Sequence, residues 1–214
     1  MSRVVVVDYG VGNLLSVTRA LAACGAEPEL SSDPERIETA PLLDLPGVGA
    51  FGDCMTELGR RGLVEPVKRR LAAGAPALGI CVGMQMLLEI GEEFGEHPGL
   101  GLIQGRVRPI PRTGADGTPH KIPHIGWSPL LVPEGGTWAG TILDGIEPGA
   151  ACYFLHSFAA EPEDPACRLA DCDYNGRRLC AAVRVGRVAG VQFHPEKSGA
   201  TGLRILRRFV EAGD

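Results

Sequence analysis

Residues 75–88, Ala-Pro-Ala-Leu-Gly-Ile-Cys-Val-Gly-Met-Gln-Met-Leu-Leu, decide how this chain folds. Ala75 to Ile80 is an apolar run of strand length, and Cys81 to Leu88 begins a helix. Between them lies Gly79-Ile80-Cys81-Val82-Gly83, a small-x-nucleophile-x-small pentad with the pattern of a nucleophile elbow. Such a turn strains the backbone at the nucleophile, and its glycines let neighbouring backbones pass close by. A strand that feeds a helix through this turn is a unit of an α/β sheet. The pentad alone leaves open that Cys81 is a small core residue, as most free cysteines are.

The pattern repeats towards the N-terminus. Leu63, Val67 and Leu71 recur at helical spacing, with Glu65, Lys68 and Arg69 between them. Leu42 to Leu45, followed by Pro46-Gly47, reads as a strand and turn. Leu14, Val17, Leu21 and Cys24 share a helical face that Gly25 ends. Val4 to Val7 is the β-branched run of a buried parallel strand. Alternating strands and helices imply right-handed crossovers and a mostly parallel sheet.

From Leu102 to Ala189 helical periodicity is scarce. Strands are expected at Ile103 to Ile110, Cys152 to Phe158, Arg168 to Tyr174, Leu179 to Val185 and Val188 to Phe193, with a hairpin turn at Asn175-Gly176. The last element is an amphipathic helix, with Leu203, Leu206 and Phe209 opposite Arg204, Arg207 and Arg208. The expected fold is therefore α/β. It has three layers, a mostly parallel open sheet with flanking helices, and an antiparallel, strand-rich second half. With no linker and no internal repeat, residues 1–214 are expected to form one domain.

Composition excludes several classes. A net charge of -5 without a basic stripe argues against nucleic acid as partner. No apolar stretch approaches membrane-spanning length, and the run ended by Asp8 is too short for a signal peptide. Seven cysteines without regular spacing fit a reducing compartment, so a cytoplasmic location is expected. Gly10-Val11-Gly12 lacks the third glycine of a dinucleotide fingerprint, with Leu15 in its place. Prolines interrupt any helix joining His120 to His124, so both read as loop histidines, and His97 reads as a surface turn. No cofactor and no metal are expected.

The second chemical signal is Gly190-Val191-Gln192-Phe193-His194-Pro195-Glu196. A strand delivers His194 at its end, and Pro195 cannot continue the ladder. Glu196 can then turn back towards the imidazole. A Cys–His pair needs such a third group to fix its tautomer and steady the imidazolium. Alone, His-Pro-Glu after a strand can be an ordinary turn. Downstream of a cysteine elbow it completes a Cys81–His194–Glu196 triad.

GICVGMQ (79–85) and GVQFHPE (190–196) resemble the class I glutamine amidotransferases. DYGVGNLLSV (8–17), LPGVGAFGD (45–53), PHIGWSPL (123–130) and YFLHSFAAEP (153–162) extend the resemblance to nearly the whole chain. They narrow it to the glutaminase subunits of imidazole glycerol phosphate synthases, in histidine biosynthesis. The resemblance implies that L-glutamine is hydrolysed to L-glutamate and ammonia, with Cys81 attacking the side-chain amide. It implies oxyanion donors at the Val82 N–H and at the Val48 N–H, within the glycine-rich Pro46–Gly49 stretch. Gly49, Gln85, Glu93, His156, Ser157 and Phe158 would meet the substrate. The partner would be a (β/α)8-barrel cyclase, joined in a heterodimer. It would use the ammonia to make imidazole glycerol phosphate and an aminoimidazole carboxamide ribonucleotide. Asn13, Lys121, Trp127 and Tyr153 would face that partner, Trp127 from a Pro/Gly-flanked loop, although a buried Trp127 is equally open. Ser128 departs from the Asn that these subunits usually carry after PHxGW.

Two rivals remain. A stand-alone cysteine hydrolase on the same scaffold would need no partner, against which the partner-specific stretches count. A silent binding module would have no need of an intact Cys81, His194 and Glu196.

Overall fold

The N-terminal β-branched run forms the buried strand β1 (Arg3–Val7) in a computed structural model that describes residues 2–213. Around it follow α1 (Leu14–Ala23), β2 (Glu27–Ser31), α2 (Pro34–Glu38), β3 (Leu42–Leu45), α3 (Phe51–Arg60), α4 (Val64–Ala72) and β4 (Ala77–Ile80). The elbow leads into α5 (Val82–Gln85), then β5 (Leu88–Gly91), β6 (His97–Pro98) and β7 (Ile103–Pro109). The rest is β8 (His124–Leu131), β9 (Ala151–His156), β10 (Phe158–Pro162), β11 (Arg168–Tyr174), β12 (Arg177–Val185), β13 (Val188–Val191) and α6 (Gly199–Glu211).

Nine strands form the main sheet in the order β2-β1-β3-β4-β13-β12-β11-β8-β9. It is parallel from β2 to β13 and antiparallel from β13 to β9. A smaller sheet has the order β10-β7-β5-β6. Strands β1, β3 and β4, in the middle of the parallel half, are buried almost throughout, as a sheet covered on both faces requires. Asn175 and Gly176 both take positive φ, 52° and 77°, which is the backbone of a tight hairpin joining β11 to β12.

The sequence expectations differ from the fold in four places. The helix begun at Cys81 ends after Gln85, because tertiary pairing claims the next carbonyls: Leu100 N–H donates to Met86 O at 2.8 Å, and Leu102 N–H to Leu87 O at 3.0 Å. The strand expected over Cys152 to Phe158 is two strands in different sheets, β9 and β10, with Ser157 at the switch. His124 and Trp127 lie on strand β8 rather than in loops, and His97 lies on β6, packed against Gly52 of α3. Strand β2, whose Pro28 suits an edge, strands β5 and β6, and helices α2 and α3 were not anticipated.

Candidate active site

Strand β4 delivers Cys81 into a turn where its φ and ψ are 55° and -110°, a left-handed conformation that costs a non-glycine residue. The flanking glycines make the turn possible. A Cβ on Gly79 would lie 2.7 Å from the Gly83 carbonyl, and one on Gly83 would collide with Leu45 O. The Cys81 N–H is tied to Val191 O at 2.8 Å, so the elbow is fixed to the neighbouring strand β13. Val82 opens α5, which leaves its N–H without an intrahelical acceptor.

Val191 pairs with Ile80, so the chain leaves β4 and β13 side by side and brings His194 to Cys81. His194 N–H donates to Tyr153 O at 2.9 Å, while the Ser198 hydroxyl donates to His194 O at 2.7 Å. Behind the ring, Nδ1 meets Glu196 Oε1 at 3.0 Å, with side chains only 4% and 0% exposed. Burial alone would depress the imidazole. The hydrogen bonds and charges of Cys81 and Glu196 outweigh it and push His194 up to about 9. Glu196→Gln removes one raising charge, so the ionisation of His194 is expected to move to lower pH. The rate should fall within the roughly 10²–10⁴-fold that a positioned acid–base contributes. A pH–rate profile checks this; an unshifted profile would detach Glu196 from His194.

Cys81 and His194 open onto a cavity of about 250 Å³. Every oxyanion and substrate residue named from the sequence lines it: Val48, Gly49, Val82, Gln85, Glu93, and the His156–Phe158 segment. Cys81 and His194 line it too, while Glu196 stands behind His194. Gln85 Nε2 donates to Phe158 O at 3.1 Å and to Gln192 Oε1 at 2.9 Å. Glu93 Oε2 accepts from the Phe51 N–H at 2.9 Å, at the start of α3. Sequence reading missed Pro123, Leu155 and Lys197 in the lining, and Gln192, whose Nε2 lies 3.7 Å from Cys81 Sγ. A larger hollow of about 590 Å³ around Gly135, Arg168 and Arg184 is lined by none of Cys81, His194 and Glu196.

A buried chain of hydrogen bonds supports the far wall. Phe158 O can only accept, so His156 carries a proton on Nδ1, 2.8 Å away. His156 Nε2 then accepts from His124 Nδ1 at 3.0 Å, and His124 Nε2 accepts the Ser128 hydroxyl at 2.8 Å. Burial depresses both imidazoles, His156 to about 3 and His124 to about 4, so both are neutral in this chain. Ser128 thus supplies the donor at the end of this chain of hydrogen bonds.

Asp44 is fully buried, and neither carboxyl oxygen has a hydrogen-bond partner among the described atoms. Its neighbour Leu45 pairs with Gly79, which faces α5, so Asp44 points to the opposite face of the sheet. Burial, then the charge of Glu196, raises its carboxyl well above the usual range. The folded state therefore keeps a proton that the unfolded chain releases above roughly pH 4, and stability falls as pH rises towards the folded value. Asp44→Asn is expected to melt above wild type near neutral pH, with the gap closing towards about pH 4. Thermal melts across that range test it; a gap independent of pH would mean that Asp44 is ionised in the fold.

Trp127 is 58% exposed and meets Tyr153 edge-on, ring centroids 6.1 Å apart, across the β8–β9 pair. Ile125 and Leu155, also paired and exposed, extend this apolar ladder and were not anticipated. Asn13 caps α1 without a side-chain cap hydrogen bond. Lys121 precedes β8 in an exposed loop, its carbonyl accepting from the Tyr174 hydroxyl at 2.6 Å. Among the described residues no cluster of His, Cys, Asp and Glu is arranged to hold a metal, and no helix is long and apolar enough to cross a membrane.

Comparison with known proteins places this arrangement. The family model of class I glutamine amidotransferases matches residues 5–212. The imidazole glycerol phosphate synthase subunit HisH 1 of Legionella pneumophila (strain Lens) is 50% identical over 212 residues, covering 99% of this chain and 100% of that protein. The HisH subunit of Rhodopirellula baltica is 46% identical, covering 98% of this chain and 97% of its own length. In fold, the chain is similar to the solved structure of PurLQS from Thermotoga maritima, with a TM-score of 0.70 at 21% identity, covering 99% and 98% of the two chains. The chain belongs to the class I glutamine amidotransferases and, within them, to the family of imidazole glycerol phosphate synthase HisH subunits.

Proposed function

We propose that this chain is a single-domain glutaminase whose Cys81–His194–Glu196 triad splits L-glutamine and feeds the ammonia to a barrel cyclase partner. The observation that carries the triad is the strained Cys81 elbow, set against His194 and its buried Glu196 partner at one cavity. Cys81 Sγ attacks the side-chain amide carbon while its proton passes to His194. The oxyanion is met by the backbone N–H groups of Val48 and Val82. The imidazolium protonates the departing nitrogen, and ammonia leaves a glutamyl thioester. His194 then takes a proton from water, whose oxygen displaces the thiol and releases glutamate. Gln85, Glu93 and the His156–Phe158 segment hold the amino-acid end of the substrate.

Seven free thiols suit a reducing cytoplasm. Ammonia set free in neutral water becomes protonated and is lost, which favours release at a sealed subunit interface. The apolar ladder of Ile125, Trp127, Tyr153 and Leu155 suits that contact, and Asn13 and Lys121 are further candidates for it. In the cyclase reaction imidazole glycerol phosphate and an aminoimidazole carboxamide ribonucleotide form on the partner. The partner alone is therefore expected to use ammonium salts and to fail with glutamine until this chain is added. Turnover of the ribonucleotide by the isolated chain would contradict the division of labour.

A further inference from the structure

The Pro46–Gly49 segment is held from behind by two buried side chains that the triad does not use. The Tyr9 hydroxyl donates to Pro46 O at 2.6 Å, and the Cys54 thiol donates to Val48 O at 3.3 Å. Tyr9 and Cys54 are both 0% exposed. The peptide between the two held carbonyls is Gly47–Val48, which carries the Val48 N–H. A Cβ on Gly47 would lie 2.6 Å from Gly83 N and 2.9 Å from Val82 Cβ, so the chain at Gly47 runs directly against the start of α5. Gly49, just beyond, has φ +88° with open space around its Cβ position.

We infer that Tyr9 and Cys54 form a clamp that fixes the peptides on either side of Gly47–Val48, leaving that one peptide free to turn and present its N–H to the oxyanion. The inference rests on the proposed role of Val48 as an oxyanion donor. A peptide can rotate between two fixed neighbours by opposed changes of the ψ before it and the φ after it. Fixed neighbours give it a defined axis, so the donor arrives at one place. Glycine at position 47 tolerates both orientations. Burial raises the Tyr9 phenol and pushes the Cys54 thiol up to about 11, so both groups remain protonated donors at neutral pH. Tyr9 and Cys54 are positioning residues: they act through the Val48 peptide and touch no substrate atom.

The test is glutaminase kcat and KM in the complex with the cyclase and its acceptor, for Tyr9→Phe, Cys54→Ala, Cys54→Ser and Val48→Pro, with melting temperatures recorded alongside. Tyr9→Phe and Cys54→Ala are expected to lower kcat by about 10- to 100-fold, the scale of a displaced catalytic group, with KM changed less than about twofold. Cys54→Ser keeps a donor and should recover most of the rate. Val48→Pro deletes the N–H itself and should cost roughly 10²–10³-fold. Should Val48→Pro lose that activity while Tyr9→Phe and Cys54→Ala keep wild-type kcat, the clamp is overturned and the oxyanion reading stands. Full activity in Val48→Pro overturns the oxyanion reading and the clamp with it. If Tyr9→Phe does not fold, the Cys54 pair decides: equal losses in Ala and Ser, or kcat and KM worsening together, overturn the clamp.

Discussion

Cys81→Ser is expected to fold, to bind glutamine and to lose essentially all hydrolysis. The exchange of sulfur for oxygen changes little volume in a turn fixed by Gly79 and Gly83, so the pocket survives. Covalent catalysis does not, because the hydroxyl is a far poorer nucleophile. In triad hydrolases that act as a unit, loss of the nucleophile lowers kcat by on the order of 10⁶-fold. No other cysteine stands ready to substitute. Burial pushes Cys54 up to about 11 and Cys152, Cys172 and Cys180 up to about 12, and it also raises Cys24 and Cys167. Glutamate release and calorimetric glutamine binding, measured on the same preparation, separate chemistry from folding. Wild-type turnover in the Ser variant would sink the triad assignment.

Gly49→Val is expected to blunt acceptor-stimulated glutaminase activity in the complex by roughly a hundred- to a thousand-fold, the scale of a missing oxyanion donor. It should weaken glutamine binding much less. A glutaminase that fires without an acceptor wastes glutamine, so the Val48 N–H is expected to point away from the site at rest. The partner, sensed through the Asn13 and Trp127 surfaces, would favour its inward turn. The structure locates the cost of the substitution. Nothing lies within 4 Å of the Cβ position at Gly49, so crowding is absent; its φ of +88° is the obstacle. A β-branched residue resists that φ and drags the adjoining Val48 peptide with it. The measurement is glutaminase rate in the complex with and without acceptor, for both proteins. Equal stimulation would rule the switch out, as would a wild-type chain fully active alone.

Much of this site was legible because its residues obey local rules. The pentad around Cys81 needs glycine on both sides for steric reasons, and such reasons are written in sequence. The run Val188 to Phe193 reads as a strand, and Pro195 marks where it must stop. What stayed hidden was set by tertiary context. Strand β8 inverts the usual alternation: His124 and Ser128 point inwards while Ile125 and Trp127 point to solvent. A reader looking for apolar residues inside finds a loop there. The signal that was available is the spacing of Ile125 and Trp127, two residues apart on one face. Helix α5 ends early because the backbone around Leu100 captures the carbonyls of Met86 and Leu87 just beyond it, which no propensity in those residues foretells. Helix α3 could have been found, since Phe51, Cys54 and Leu58 share a buried face. No role was legible in sequence for Tyr9 or Asp44, and Asp44 passes unremarked inside the Leu42 to Leu45 run. Only the fold shows that one grips Pro46 O and that the other is sealed away near Glu196.

The central claim is that one thiol among seven performs the chemistry, and a γ-alkylating glutamine analogue tests it most directly. The wild-type chain, assembled with the cyclase, is treated with the analogue while glutaminase activity and intact mass are followed together. The account predicts a single adduct, mapped to Cys81, with activity lost in proportion to labelling and glutamine slowing both. Complete inactivation with the adduct on any other residue, or undiminished hydrolysis with Cys81 fully labelled, would contradict it.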